Sequence, residues 1–385
     1  MNKTSKHILF LPRWYPHQGD EMYGLFVKKH AEAAAIYNKV SVLYVQGLSS
    51  KKPFKKTEQF EQENLSTHIY YYKNSSFIPY NVIRYWYYLI IGYRLIKQKY
   101  GKPDLTHVHI LTRLGFFAFI LEKVSKIPFI ISEHWSRYLP YNGTYKGWWR
   151  KRITARVVKN SRAILPVSTI LMEAMQKHGL KNPNYFIVPN VVDDLFYQSY
   201  ERKKTGNPIV FLHVSTFEDK SKNISGLLRV IKNLSLINTN FEFNFVGDGV
   251  DFESIKNYAA VLNIPKNQVH FYGIEQGERL AKRYRQADYL VMFSNYETFL
   301  IVFHEAQACG LPIVTSRVGN LDQFISKTNG FLVDPGNEKQ LESVLKNILI
   351  SKPLFDSTKI QNKSNMQYSA KAIGKQLDNI YTVCV

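Results

Sequence analysis

The stretch YETFLIVFHEAQACGLPIV, residues 296–314, sets two carboxylates, Glu297 and Glu305, among apolar neighbours. Burying a carboxylate without a partner is costly, so the local structure must bring both to something. Eight helical steps would place them roughly 80° apart around one axis, too far to act as a same-face pair on a continuous helix. A strand, a turn and a helix fit better. DYLVMFS (288–294) is an apolar run of strand length, NYETFL (295–300) is a turn, and IVFHEAQACG (301–310) is a helix stopped by Gly310 and Pro312. Glu297 then stands at the carboxyl end of a strand and Glu305 in the early turns of the helix. Between them lies a helix N-terminus, whose unpaired N–H groups suit an anion such as a phosphate.

The same alternation runs outward in both directions. HILFLP (7–12), KVSVLYV (39–45), LTHVHI (105–110), PFIIS (128–132), AILPVS (163–168) and NYFIVP (184–189) read as short buried strands, several separated by helical stretches. The series restarts at PIVFLHVS (208–215) and continues through FEFNFVG (241–247), QVHFYG (268–273), DYLVMFS and LPIVTS (311–316). Two such series predict an α/β chain of two Rossmann-like, doubly wound parallel-sheet domains. The polar stretch YQSYERKKTGN (197–207) is the expected linker. Ligands of open parallel sheets bind beyond the carboxyl ends of the strands, so two domains facing a cleft are expected, with the Glu297–Glu305 turn on one wall.

A chain of 385 residues with 45% hydrophobic content can build two ordinary cores and is unlike a disordered chain. Two cysteines, Cys309 and Cys384, make no disulfide framework; both are read as inert, in a reducing compartment. The apolar run before Pro12 is too short for a signal peptide, and no run reaches the length that spans a bilayer, so a cytoplasmic protein is expected. The net charge of +21 is uneven: residues 1–200 carry 29 Lys and Arg against 12 Asp and Glu, the remainder 22 against 18. The first half is therefore expected to meet something acidic: nucleic acid, an anionic membrane or a phosphorylated acceptor.

The segment SNYETFLIVFHEAQACGLPIVTSRVGNLDQFISKTNGFLVDPGN resembles the family 4 (group 1) glycosyltransferases, which have the two-domain GT-B fold. The residues that carry the resemblance are Glu297, Phe299, Glu305, Ala306, Gly310, Pro312, Val314, Gly319 and Asn329–Gly330. Further matches occur in order along nearly the whole chain. KNISGLLRVI (222–231) is similar to the lysine-containing phosphate segment, FVGDGVDFESI (245–255) to the Gly-x-Gly turn and IVPNVVDDLF (187–196) to the Pro-Asn-x-x-Asp segment. DLTHVHI and FIISEHW are similar to the histidine segments of the first domain. The resemblance implies an acceptor-side domain at 1–196, to which a last helix at 368–385 returns, and a nucleotide-sugar domain at 197–367.

What the resemblance implies is a retaining transfer of a sugar from a nucleotide-sugar donor to an acceptor hydroxyl. Glu305 would hold the ribose hydroxyls and Glu297 those of the donor sugar. The backbone N–H groups of Thr298, Phe299, Leu300, Ile301 and Val302 would cradle the diphosphate, and Lys222 would neutralise it. His134 would sit by the scissile bond and Gly24 in the first strand–helix loop. These residue types suit the chemistry. Charge grows on the leaving diphosphate, where donors fixed in advance lower the barrier, and carboxylates accept paired hydrogen bonds from vicinal hydroxyls. No Asp-x-Asp motif occurs, in keeping with a family that works without a bound divalent metal, so neither metal nor cofactor is expected. A uridine donor is preferred to a guanosine one. Two departures stand out. Thr216 occupies the place of the family's second phosphate cation, an arginine, which Lys220 or an arginine from elsewhere could replace. Leu300 occupies the place of a glycine.

Outside the motif, His107 and His109 are read as packing residues on opposite faces of a buried strand, without a shared metal. In residues 80–100, Trp86, Leu89, Ile90 and Tyr93 recur at helical spacing. In residues 147–162, Arg152, Arg156 and Lys159 share a helical face that begins with Trp148 and Trp149. Tryptophan beside basic residues suits a membrane interface. Peripheral contact with the inner membrane face and a lipid-linked or polysaccharide acceptor are therefore expected, within cell-surface glycan synthesis. Other readings are an epimerase or a phosphorylase on the same two-domain plan, whose own site residues are not evident, and a nucleic-acid-binding protein. Only charge suggests the last, with no recognition motif for a specific nucleic acid.

Overall fold

The structure, a computed structural model, describes residues 5–49, 54–111, 113–140, 142–198, 208–297, 301–319 and 321–385. Thr298, Phe299 and Leu300, expected in the phosphate cradle, lie outside the described residues, as do 199–207 of the expected linker. The chain forms two compact units, Met1–Val191 with Ala370–Val385, and Val192–Ser369.

In the first unit the strands are β1 (His7–Pro12), β2 (Lys39–Leu48), β3 (Thr57–Gln62), β4 (Leu65–Lys73), β5 (Leu105–His109), β6 (Phe129–Glu133) and β7 (Ile164–Pro166). Their order in the sheet is β3-β4-β2-β1-β5-β6-β7. Only β3, paired with β4, runs antiparallel. The chain winds outward from β1 to one side and then from β5 to the other. The point where the winding reverses, between β1 and β5, is where ligands of such sheets bind. Strand β1 is buried along its whole length, which suits an apolar run covered on both faces. The last helix, Ala370–Cys384, buries Ile373, Leu377, Ile380 and Tyr381 in the same core as Val27, Ala31 and Ala34 of helix Leu25–Ala35. Each of the buried Val, Leu and Ile side chains among them contributes roughly 1.5–3 kcal/mol by leaving water.

In the second unit the strands are β8 (Ile209–Val214), β9 (Phe241–Val246), β10 (Val269–Phe271), β11 (Tyr289–Met292), β12 (Ile313–Ser316) and β13 (Gly330–Val333). Their order is β10-β9-β8-β11-β12-β13, all parallel. The winding reverses between β8 and β11. Apolar clusters lie on both faces, one around Phe211, Phe243 and Leu227, the other around Leu212, Leu290 and Ala306.

Several expectations need correction. The hairpin β3–β4 and the edge strand β13 were not foreseen. Residues 184–189 form no strand of their own; Tyr185 makes a single bridge to Ile164, and the segment accompanies β7 through isolated backbone bonds. The units meet at 191/192, not 196/197, because Phe196 is buried against Tyr284 of the second unit, with ring centroids 5.7 Å apart. In helix Ile78–Tyr100 the buried face is Tyr85, Leu89, Gly92, Tyr93 and Ile96, so Trp86 and Ile90 stand off the core stripe. Among the described residues no helix is long and apolar enough to cross a membrane.

Candidate active site

The two loops that follow β8 and β11 meet at the point where the second sheet reverses. After β8 the chain makes a short helical turn, Asp219–Lys222, broken by Asn223 at φ 50°, and then enters helix Ile224–Ser235. The loop after β11 is strapped to it. The Asn295 backbone N–H donates to the Ser221 carbonyl at 2.8 Å, and Asn295 Nδ2 donates to the Lys220 carbonyl at 3.0 Å. This strap holds Lys222 and Glu297 together. Lys222 Nζ donates to both carboxylate oxygens of Glu297, at 2.7 and 2.8 Å, and Ser294 Oγ donates to Oε1 at 2.7 Å. The two side chains are only 15% and 7% exposed, so each depends on the other for its charge. An ammonium has three N–H donors and a carboxylate about four acceptor positions. The pair therefore retains one donor and about one acceptor for a ligand.

Glu305 lies one turn into helix Ile301–Ala308, in different surroundings. The buried Tyr284, from helix Glu278–Gln286, donates its hydroxyl to Glu305 Oε2 at 2.9 Å. Burial pushes the Glu305 carboxyl up to about 7; the Tyr284 hydrogen bond opposes that rise and the negative charge of Asp193 adds to it. Two carboxylates eight positions apart thus differ in kind, one ion-paired and one in an apolar setting near neutrality. Ile301 and Val302 open the helix and are partly exposed, and first-turn N–H groups lack intrahelical acceptors. Thr216 is exposed just beyond β8, as is Lys220. Arg229, Arg283 and Arg285 of this unit are each engaged with a glutamate.

His134 and Gly24 belong to the first unit. Gly24 precedes helix Leu25–Ala35 at φ 70°, and a Cβ there would lie 2.3 Å from the Trp14 carbonyl carbon, so only glycine fits. His134 follows β6, with Nδ1 3.0 Å from Asn190 Oδ1 and Nε2 3.3 Å from His109 Nδ1. With the amide oxygen accepting, His134 carries its proton on Nδ1 and accepts from His109 through Nε2. Burial, and then the neighbouring His30, hold His134 well below the usual histidine range, so the ring is neutral. Beside it Glu133 is buried, and its carboxylate accepts the backbone N–H groups of Leu111, His134 and Trp135 at 3.0–3.1 Å.

The expected opposition of His107 and His109 is incorrect. Their ring centroids are 4.2 Å apart, because residues two apart on a strand share a face. His107 is satisfied by Tyr381 and Ser132, each at 2.8 Å. Among the described residues no group of three or more His, Cys, Asp or Glu could hold a metal ion. Sequence reasoning did not single out Ser294, Tyr284, Asn190 or Asp193. Asn190 and Asp193 carry a signal in the sequence, since both lie within the quoted Pro-Asn-x-x-Asp segment. Ser294 and Tyr284 carry none, since only the fold brings them to the two carboxylates.

Comparison with known proteins matches the two units separately. The profile of glycosyl transferases group 1 matches residues 198–367, and that of glycosyltransferase family 4 matches residues 43–194. An uncharacterized glycosyltransferase of Methanocaldococcus jannaschii is 26% identical over 69% of this chain and 72% of its own length. An uncharacterized 41.2 kDa protein in the cps region of Klebsiella pneumoniae is 29% identical over 61% of this chain. The match spans 66% of that relative, slightly under two thirds of its length. The crystal structure of Anabaena Alr3699/HepE in complex with UDP superposes with a TM-score of 0.72 over 98% of this chain and 100% of that one, at 16% identity. At that identity the likeness concerns the fold, which is of GT-B type. With both units matched, by profiles that together run from residue 43 to 367, the chain belongs to the family 4 (group 1) glycosyltransferases and is a transferase enzyme.

Proposed function

We propose that the protein is a retaining glycosyltransferase that takes its sugar from a nucleotide-sugar donor held by the second unit. The observation that carries this reading is the Lys222–Glu297–Ser294 cluster where the second sheet reverses, with the near-neutral Glu305 eight positions on. The remaining donor of Lys222 and the N–H groups of Ile301 and Val302 would take the diphosphate, together with those of Thr298, Phe299 and Leu300. Glu297 would accept from the sugar hydroxyls, and Glu305 from the ribose hydroxyls. Lys220 would stand in for the cation that Thr216 does not supply. Positive charge fixed beside the departing diphosphate lowers the barrier because it need not reorganise as the bond breaks. His134 would line the scissile bond as a neutral ring, in the first unit with Gly24, and the acceptor proton would pass to a donor phosphate oxygen. No metal or cofactor is assigned.

A uridine donor is the preferred one, and the HepE complex with UDP supports it. The acceptor is assigned to a lipid-linked or polysaccharide precursor of a cell-surface glycan, a reading supported by the relative from a cps region. Contact with the inner membrane face would come from the exposed Trp148 and Trp149 and the basic residues that follow them. The test is a panel of nucleotides and nucleotide sugars scored by melting temperature, since ligands that bind the folded state raise it. UDP and one UDP-sugar should give the largest shifts. A chain that no nucleoside diphosphate or nucleotide sugar stabilises would contradict the reading.

A further inference from the structure

The first sheet also reverses, between β1 and β5, and that point is lined with arginine. Arg13 directly follows β1, Arg113 opens the helix after β5, Arg137 lies in the turn after β6, and Arg150 lies in helix Trp148–Asn160. All four line one cavity of about 410 Å³, together with the apolar Phe116 and Ile153. Arg13 and Arg113 also line an adjoining cavity of about 250 Å³ with the polar groups of Tyr23, Gln46, Asn74 and Tyr85. The two arginines thus stand between an apolar chamber and a polar one.

None of these four guanidinium groups forms an ion pair among the described residues. Among the described residues the arginines in ion pairs are Arg229, Arg283, Arg285 and Arg317, all in the second unit. The carboxylate that acts on Arg137 is Glu133, already occupied by three backbone N–H groups. Arg137 is 5% exposed, and its Nε and that of Arg13 are buried without a hydrogen-bond partner. Aromatic rings flank the groups: the Trp135 ring lies 5.3 Å from the Arg13 guanidinium and 4.7 Å from that of Arg137, and the Tyr85 ring 3.8 Å from that of Arg113. Arg137 Nη2 donates to the Leu111 carbonyl and, at 2.7 Å, to the Tyr138 hydroxyl, which leaves the buried Nε atoms of Arg13 and Arg137 to take an anion in charge-assisted hydrogen bonds. Arg137 is buried, Arg13 is half-buried and Arg113 and Arg150 are exposed at the rim, and a cleft lined by charge of one sign draws in the opposite charge, so the arrangement is one that an anionic ligand completes.

We propose that Arg13, Arg113, Arg137 and Arg150 form the acceptor site, and that the acceptor carries a phosphate or diphosphate there. The inference rests on the glycosyl-transfer reading and names the chemistry of the second substrate. A phosphate at Arg13 and Arg113 would leave sugar hydroxyls to the polar chamber. The apolar chamber opens beside Phe116 and Ile153, which are 40% and 49% exposed, and an apolar chain could lie there.

The test titrates the full chain, saturated with UDP so that the donor's phosphate site is filled, with inorganic pyrophosphate. It compares the parent with the double variant Arg113→Gln/Arg150→Gln, whose positions are both exposed and spare the core. The variant should bind pyrophosphate roughly tenfold to a hundredfold more weakly, as expected for lost charge-assisted hydrogen bonds. Its melting temperature and UDP-induced shift should match the parent's. If UDP shifts neither protein, the donor reading fails, and the pyrophosphate comparison still tests the arginines. Equal affinity in parent and variant, or no pyrophosphate binding by the parent, overturns the proposal. Two further probes separate the sources: a soluble N-acetylhexosamine 1-phosphate, and phosphatidylcholine vesicles carrying a prenyl diphosphate. Arginine-dependent capture by the vesicles assigns a lipid-linked acceptor, and arginine-dependent binding of the sugar phosphate alone assigns a soluble one. Either result supports the site.

Discussion

Lys222 and Glu297, 75 positions apart in the chain, are joined by two hydrogen bonds of 2.7 and 2.8 Å where the loops after β8 and β11 meet. Neither loop would hold its charge in place alone. The pairing sets a lysine and a carboxylate side by side, which the proposed transfer would use against a diphosphate and the developing sugar cation.

Removing one partner should therefore cost stability as well as turnover. Lys222→Ala leaves a nearly buried carboxylate without its cation, and breaking a buried pair costs about 3 kcal/mol or more. Urea denaturation of Lys222→Ala should show a loss of that order. The double variant Lys222→Met/Glu297→Gln should recover part of it, because no lone charge remains. A single variant as stable as the parent would show that the pair does not hold the loops.

Glu305 should make both stability and nucleotide affinity depend on pH. Its folded value, about 7, lies above the ordinary 4.5, so the folded state binds the proton more tightly than the unfolded one. The stabilising contribution of the protonated form is complete below about 4.5, falls as pH rises, and is lost above 7. Glu305→Gln should thus match the parent near pH 4 and melt at a higher temperature at pH 8. The ionised carboxylate is the better acceptor for ribose hydroxyls, so UDP affinity of the parent should rise between pH 6 and 8 relative to that of the variant. Parallel profiles for the two proteins would remove Glu305 from the ribose site.

Activity should survive chelation. The donor site as proposed uses Lys222 and backbone N–H groups against the diphosphate, so EDTA should leave most of the rate. Loss of activity with EDTA, restored by magnesium or manganese, would require a metal site that this account does not contain.

Binding to anionic vesicles should run through helix Trp148–Asn160. Its exposed face carries Trp148, Trp149, Arg152, Arg156 and Lys159, while Thr154, Val157 and Val158 are buried. Flotation should weaken as salt shortens the reach of these charges. Replacing Arg152, Arg156 and Lys159 with Glu should weaken it further and leave UDP binding unchanged. A triple variant that floats as well as the parent would place the membrane surface elsewhere.

The parallel alternation was legible because each central strand is a continuous apolar run, such as HILFLP and DYLVMFS. The β3–β4 hairpin was not. TEQFEQ is an edge strand exposed along most of its length and carries no apolar run, and its register with β4 is a tertiary matter. GFLV at β13 is four residues long, too short for periodicity to mark. The site divided in the same way. The strand–turn–helix around Glu297 is local and was read from spacing. The partners Lys222, Tyr284 and Ser294 meet the carboxylates only because β8 and β11 are neighbours and helix Glu278–Gln286 packs beside them. The arginines around Arg13 come from four separate segments, and the sequence showed them only as an excess of charge in the first half.

The central claim is that Glu305 holds the ribose and Glu297 the sugar, and the most direct measurement is the affinity of each alanine variant for UDP and for the intact donor. Glu305→Ala should weaken both ligands alike, roughly tenfold to a hundredfold, as expected for a lost hydrogen bond to a charged group. Glu297→Ala should bind UDP nearly as well as the parent, since UDP carries no sugar, and should lose turnover with the donor. Melting curves taken alongside would show whether both variants remain folded. An equal loss of UDP affinity in the two folded variants would contradict the account.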